Sequence, residues 1–215
     1  AYFVNDVDDM PAVRGDLDAD FHGEYVCFDL ETTGLDARKD VITEIGAVVY
    51  RDGKVTDEVF STFVDPERPI PYEVSQLTGI TDEMVKGAPS QGEAIRQFLD
   101  FAPGRPLAAH NAGFDVGFLS EGCRRMGIPL EVTAVDTLPL AQALLPQLSK
   151  HKLDVVAGHL GLPAFNHHRA TDDASTVAYM LVPFFKRLEE DHDIHSLGPI
   201  NRWVAGQNQK RKGKR

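Results

Sequence analysis

The sequence predicts an α/β fold built on a mixed sheet, and three observations carry that reading. Three apolar, β-branched runs come first, and the second and third flank Asp52-Gly53, a strong hairpin turn signal. After them, short apolar runs alternate with stretches of helical period, giving the order βββ-α-β-α-β-α-α. That order is a mixed sheet with helices packed on it. Finally, 42% of the 215 residues are apolar, enough for a real core in one domain of ordinary size.

The elements follow in order. Residues 1–24 open with Ala1-Tyr2-Phe3-Val4, turn acidic, and read as a flank outside the core. Tyr25–Leu30 is the first core strand, and Val41–Tyr50 and Lys54–Val64 form the hairpin. Pro66–Pro89 is a long irregular connection in which Thr81 can cap a short helix through Met84. Long ordered loops of this kind are often functional. Gln91–Ala102 is a helix with Ile95, Phe98 and Leu99 as its stripe. Pro106–His110 is a short buried strand, and Ala112–Gly127 a helix ended by Gly127 with Pro129 beyond. Val132–Asp136 is a strand; Leu138–Leu145 and His151–Gly158 are short helices. Thr171–Glu190 is a long helix with Val177, Leu181, Phe184 and Leu188 inward and a kink expected at Pro183. Residues 191–215 run out as a polar, basic extension whose end, Lys210–Arg215, is expected to be solvated and disordered.

Charge and cysteine usage bound the partners. The formal charge is −11. Residues 1–24 hold seven acids against Arg14, a net of −6, and residues 202–215 hold six basic residues, a net of +6. The ends cancel, so the body itself is acidic. An acidic body argues against strong free-standing affinity for nucleic acid, where phosphate neutralisation dominates. It leaves room for a site that holds cations and receives its substrate from a covalently linked neighbour, which supplies effective concentration. Cys27 and Cys123 lie in apolar stretches without metal spacing, as buried thiols of a reducing cytoplasm do. No run approaches 18 apolar residues and no signal peptide opens the chain, so a soluble cytoplasmic protein without a membrane partner is expected.

The chemistry concentrates in acids. In Y-V-C-F-D-L-E-T-T-G, residues 25–34, strand alternation sends Val26, Phe28 and Leu30 one way and Asp29 and Glu31 the other. Carboxylates two residues apart lie about 6.6 Å apart along a strand. Their oxygens can converge on a hard cation. A polar face on a half-exposed edge strand is the other reading. Asp115 stands where a short strand gives way to a helix, and Phe118 and Leu119 put it on the buried face. There it needs a cation or a hydrogen-bond partner, unless it serves only as a first-turn acid favoured by the helix dipole. In N-H-H-R-A-T-D-D, residues 166–173, Val177 and Met180 at i+4 and i+7 point Asp173 inward, while Asp172 points further round. His168, five residues before Asp173, can hang over the same site; His167, His168 and Arg169 can equally be a polar turn.

Together, F-D-L-E-T-T-G, H-N-A-G-F-D and H-H-R-A-T-D-D, in this order, resemble the motifs of the DEDDh (DnaQ-like) exonucleases on the RNase H-like fold. The resemblance spans residues 24–190. L-T-G-I-T-D-E-M-V-K-G-A-P and V-D-T-L-P-L-A look most like the proofreading exonuclease domain of PolC-type DNA polymerase III. Asp172 departs from that subgroup, which usually has an uncharged residue there. The resemblance implies a domain over 25–190, an RNase H-like sheet of three largely antiparallel strands and two shorter ones, and flanks 1–24 and 191–215 that are stubs of a larger polymerase chain. It implies that Asp29, Glu31, Asp115 and Asp173 bind two divalent ions, Mg²⁺ or Mn²⁺, and that His168 is the general base. It also implies 3′→5′ cleavage of a single-stranded DNA 3′ end with release of 5′-nucleotides.

Such a cage suits the chemistry, since two cations offset phosphodiester charge and histidine titrates near neutrality unperturbed. Thr32, Thr33 and Gly34 are expected to offer backbone and hydroxyl groups to the terminal nucleotide. Leu77, Ile80 and Phe114 are expected to wedge or stack against the last bases. Asn111 and His110 are expected to hydrogen-bond the nucleic-acid backbone, and Asp136 stands as a supporting acid or a plain strand-end acid. The competing functions are an RNA 3′-end trimming exonuclease of the same family and an inactive interaction module that keeps the fold. A phosphatase of the D-x-D type fits poorly, because the second acid is Glu31 and a glycine follows so soon.

Overall fold

In the computed structural model, residues 11–165 and 169–214 are described. The sheet has six strands: β1 (Val13–Arg14), β2 (Glu24–Thr32), β3 (Ile42–Arg51), β4 (Lys54–Phe63), β5 (Leu107–Ala109) and β6 (Ala134–Asp136). Their order is β1-β6-β5-β2-β3-β4. The meander β2–β3–β4 is antiparallel, β5 and β6 add parallel to β2, and β1 closes the far edge antiparallel to β6. The β3–β4 hairpin turns at Asp52 and Gly53, both at positive φ (48° and 78°), the backbone that makes Asp-Gly favourable there.

Helices cover both faces. They are α1 (Tyr72–Thr78), α2 (Asp82–Val85), α3 (Gln91–Phe101), α4 (Ala112–Arg125), α5 (Thr137–Leu144), α6 (Leu153–Leu160), α7 (Ala170–His192) and α8 (Ile200–Lys212). Ser90 opens α3 with a capping box completed by Glu93. Thr81 caps α2 by accepting from the Met84 N–H, as the sequence predicts. The connection before α2 holds a further helix, α1, which the sequence reading left irregular. α7 continues through Pro183 to His192. Among the described residues, no helix is long and apolar enough to cross a membrane.

Alternation along β2 divides the core in two. Tyr25 and Cys27 join the cluster beneath α5, α7 and α8, with Val177, Leu181 and Phe184. Val26, Phe28 and Leu30 join the cluster beneath α3 and α4, with Ile95, Phe98 and Leu119. The same period carries Asp29 and Glu31 onto the α7 face, continuing the row begun by Tyr25 and Cys27.

Two expectations are corrected at the ends. The part of the 1–24 flank that is described belongs to the core: Ala12, Val13 and Phe21 are buried, and Phe21 stacks on Phe185 with ring centroids 4.2 Å apart. The C-terminal extension is also ordered, as α8, through Lys212. Its Ile200 and Val204 are buried. Its Asn201 grips edge strand β1, accepting the Val13 N–H at 2.9 Å and donating Nδ2–H to the Val13 carbonyl at 2.8 Å. One side-chain amide thus satisfies a backbone donor and acceptor that an edge strand would leave open.

Candidate active site

Asp29 and Glu31 lie at the end of β2, and α7 brings Asp173 to them. Carboxylate oxygens of these three acids lie within 4.8 Å of one another, each acid partly exposed. Packing explains the approach. Gly46 of β3 pairs with Asp29, and a Cβ there would collide with the backbone of Ala170 and Thr171. Only a glycine lets the first turn of α7 settle on the sheet at that point, and Asp173 follows within that turn.

Asp115 enters from the opposite layer. Its helix, α4, packs on the cluster with Val116, Phe118 and Leu119, so its carboxylate reaches the strand from the other side. Asp115 is 2% exposed and its Oδ1 accepts the Leu30 N–H at 3.2 Å. That amide lies between the two β2 acids, so Asp115 adjoins the triplet.

Burial and mutual repulsion shift these acids. Asp29 is raised well above the ordinary carboxylate range by burial first, then by the charges of Asp115, Glu31, Asp173 and Glu44. Glu31 is raised to about 8 by burial and by Asp173 and Glu44. Asp115 is raised by burial, which the Leu30 N–H partly offsets. Oxygen ligands that repel one another across a few ångströms are the donor set a hard divalent cation fits.

Asp136 organises the neighbouring turn. Its Oδ1 accepts the N–H of Asn111 and of Leu138, both at 2.9 Å, capping α5 and holding Asn111 in the left-handed region at φ 67°. His110 has both ring nitrogens engaged by the protein: Nδ1 with Thr137 Oγ1 at 2.8 Å and Nε2 with the His151 carbonyl at 2.7 Å. The carbonyl requires an Nε2–H donor, leaving Nδ1 to accept from the Thr137 hydroxyl. Burial lowers this histidine to about 4, so it is neutral at physiological pH. Asn111 is exposed.

The hydroxyls after Glu31 close a local turn. Thr32 Oγ1 donates to the Gly34 carbonyl at 2.6 Å, and Thr33 Oγ1 donates to Asp40 at 3.3 Å and accepts the Val41 N–H at 3.1 Å. A Cβ on Gly34 would collide with the Asp40 carboxylate. Of the three apolar candidates, Leu77 is 63% exposed and Ile80 is 0% exposed. Ile80 packs with Ile70 and Val85, so the expectation that it meets a base is corrected: it is the core of the α1–α2 excursion. Phe114 is half-buried, its ring centroid 5.0 Å from that of Phe118. His168 lies outside the described residues.

Sequence reasoning missed Glu44, an acid on β3 that is 1% exposed. Its one signal was an acid in the middle of an apolar β-branched run, I-T-E-I-G-A-V-V.

Comparison with known proteins sets this geometry among relatives. The exonuclease family model RNase_T matches residues 26–181. A DNA polymerase III of the PolC type from Clostridium perfringens is 47% identical over 191 residues, 89% of this chain and 13% of the relative. The corresponding protein of Thermotoga maritima is 37% identical over 227 residues, 98% of this chain and 16% of the relative. The chain thus spans well under a fifth of these relatives' length. Among solved structures, exonuclease X in complex with 5′-overhanging duplex DNA superposes with a TM-score of 0.63 at 25% identity, covering 84% of this chain and 99% of that one. Exonuclease I of E. coli with a dT13 oligonucleotide gives 0.69 at 17% identity, covering 80% and 43%, a likeness of fold alone.

Proposed function

The chain belongs to the RNase_T exonuclease family, and from that membership we propose that it removes nucleotides from the single-stranded 3′ end of DNA, as the proofreading domain of a PolC-type replicative polymerase. The observation that carries this reading is the convergence of Asp29, Glu31 and Asp173 within 4.8 Å, with Asp115 adjoining through the Leu30 amide. Relatives named as DNA polymerases support DNA as the substrate, and their greater length supports a polymerase chain as the partner.

Asp29, Glu31, Asp115 and Asp173 would hold two divalent ions, Mg²⁺ or Mn²⁺, which when bound polarise water and offset phosphate charge. The protein's part is to present oxygens already gathered, so that little reorganisation is needed when substrate arrives. Asp115 braces the β2 backbone between the two acids. Asp136 and His110 fix the α4 and α5 entries. His168 takes the proton of the attacking water. Thr32, Thr33, Gly34, Asn111, Leu77 and Phe114 line the approach of the terminal nucleotides.

Matched single-stranded DNA, duplex DNA and RNA oligonucleotides, labelled at the 5′ end and digested with and without Mg²⁺, test the proposal. Laddering from the 3′ end of single-stranded DNA, slower on paired ends because unpairing costs a few kcal/mol, is the expected outcome. A clear preference for RNA, or equal rates on blunt duplex and single strand, overturns it.

A further inference from the structure

We propose that Glu44 is a positioning residue: its buried carboxylate caps helix α7 from the neighbouring strand and so holds Asp173 in register with Asp29 and Glu31. The inference rests on the reading of those acids as the cation cage.

Four observations converge on Glu44. In the β2–β3 ladder it pairs directly with Glu31, and residues directly opposite share a face of the sheet. Like charges in that arrangement are destabilising, and Glu44 is also buried at 1% exposure, so its retention as an acid needs compensation. The compensation comes from α7. The cap residue of that helix, Arg169, makes no side-chain cap of its own. Instead Glu44 Oε1 accepts the Ala170 N–H at 2.5 Å, satisfying a first-turn amide that the helix cannot satisfy internally. A negative group at this end is also favoured by the helix dipole. Among the described residues, Glu44 Oε2 makes no hydrogen bond but forms an ion pair with Arg169 Nη2 at 3.2 Å. The Arg169 guanidinium lies 5.2 Å from the centroid of the Phe63 ring on β4.

Gly46 supplies the other half of the seat. Two residues along β3 on the same face, it admits the Ala170–Thr171 backbone. Contact at Gly46 sets how close α7 comes, and Glu44 sets its rotation and its height along the strand. Asp173, three residues after Ala170, inherits both.

The test separates reach from charge. Glu44→Gln keeps the side-chain length and an acceptor oxygen but loses the charge; Glu44→Asp keeps the charge but is one methylene short. Three readouts apply: amide exchange at Ala170 by NMR in metal-free protein, the half-saturating Mg²⁺ from thermal shift without substrate, and kcat and KM on single-stranded DNA. The glutamine variant should protect the Ala170 amide nearly as well as wild type and stay within a few-fold in kcat. The aspartate variant should lose that protection and need more Mg²⁺. Its kcat should fall by about 10- to 100-fold, since small misplacements of reacting groups cost that much, while KM stays unchanged. A glutamine variant as impaired as the aspartate one, or an aspartate variant equal to wild type in exchange and Mg²⁺ response, overturns the proposal. Should Glu44→Asp not fold, the glutamine variant decides alone, because loss of Ala170 protection or of kcat in it refutes positioning by reach. If wild type itself shows neither Mg²⁺ response nor nuclease activity, the cage reading has failed, and Ala170 exchange still reports on the cap.

Discussion

Leu77 and Ile80 are three residues apart and have opposite environments, one largely in solvent and one wholly enclosed by Ile70 and Val85. Ile80→Ala should therefore cost about 2–5 kcal/mol of stability, read from denaturant unfolding, and leave KM for an oligonucleotide unchanged in the folded protein. Leu77→Ala should change stability by no more than about 0.5 kcal/mol and raise KM. From sequence the two look alike, because each is one apolar residue in a polar connection and periodicity needs a longer window than α1 and α2 provide. The acids were more legible: alternation paired Asp29 with Glu31, and helical spacing separated Asp173 from Asp172. The histidines rest on the family motif. His168→Ala should lower the rate by roughly 10²–10⁴-fold while the Mg²⁺-induced thermal shift survives, and His167→Ala should lose far less. The wild-type rate should rise with pH through about 6.5, and His168→Ala should flatten that limb. A larger loss in His167→Ala would move the base to that residue.

At the scale of elements, the segments with an apolar pattern were legible, the short β5, β6, α5 and α6 included, and β1, α1 and α8 were not. β2, β3, β4, α3, α4 and α7 lie within a few residues of their sequence bounds, because each carries a full period of apolar residues and a clear stop such as Gly127 at φ 68°. β1 has two residues, too few for any pattern, and is a strand only because β6 offers its edge. α8 reads as a polar tail because it buries little beyond Ile200 and Val204. Its anchor is the Asn201 clamp on Val13, a contact between residues 188 positions apart that no local window sees. This makes α8 part of the folding unit. A chain ending at residue 199 should melt several degrees lower and lose amide protection in β1, since two buried aliphatic side chains are each worth about 1.5–3 kcal/mol. Asn201→Ala should produce part of the loss through the unsatisfied Val13 groups. Unchanged melting and unchanged β1 exchange in both variants would make α8 a passenger.

For the whole molecule, the gathered acids set how stability depends on pH, and the sign follows from linkage. A carboxylate whose folded pKa is raised holds its proton longer when folded, so the folded state binds more protons and stability falls as pH rises from the unfolded value towards the folded one. Asp29, Asp115 and Glu31 all act in this sense, Glu31 up to about 8. Asp136, raised to about 6, has finished titrating by then. His110 opposes them lower down: lowered to about 4, it binds its proton better unfolded between about 4 and 6.5, so its own contribution rises with pH there and offsets part of the fall set by the carboxylates. Exposed His22, raised by Asp52 and Glu189, adds to the fall above 6.5. The metal-free protein should accordingly show its clearest loss of stability between about pH 6.5 and 8, on the order of a few kcal/mol. Saturating Mg²⁺ should remove most of that loss, because cations between the acids reverse the repulsion and bind only the folded state. The Mg²⁺-induced rise in Tm should thus be larger at pH 8 than at pH 5.5. In Asp29→Ala the metal-free protein should be more stable at pH 8 and the Mg²⁺ effect should shrink. A Tm that is flat from pH 6.5 to 8 in EDTA, or a Mg²⁺ shift independent of pH, would mean that these carboxylates do not form the cage that the fold assembles from β2, α4 and α7.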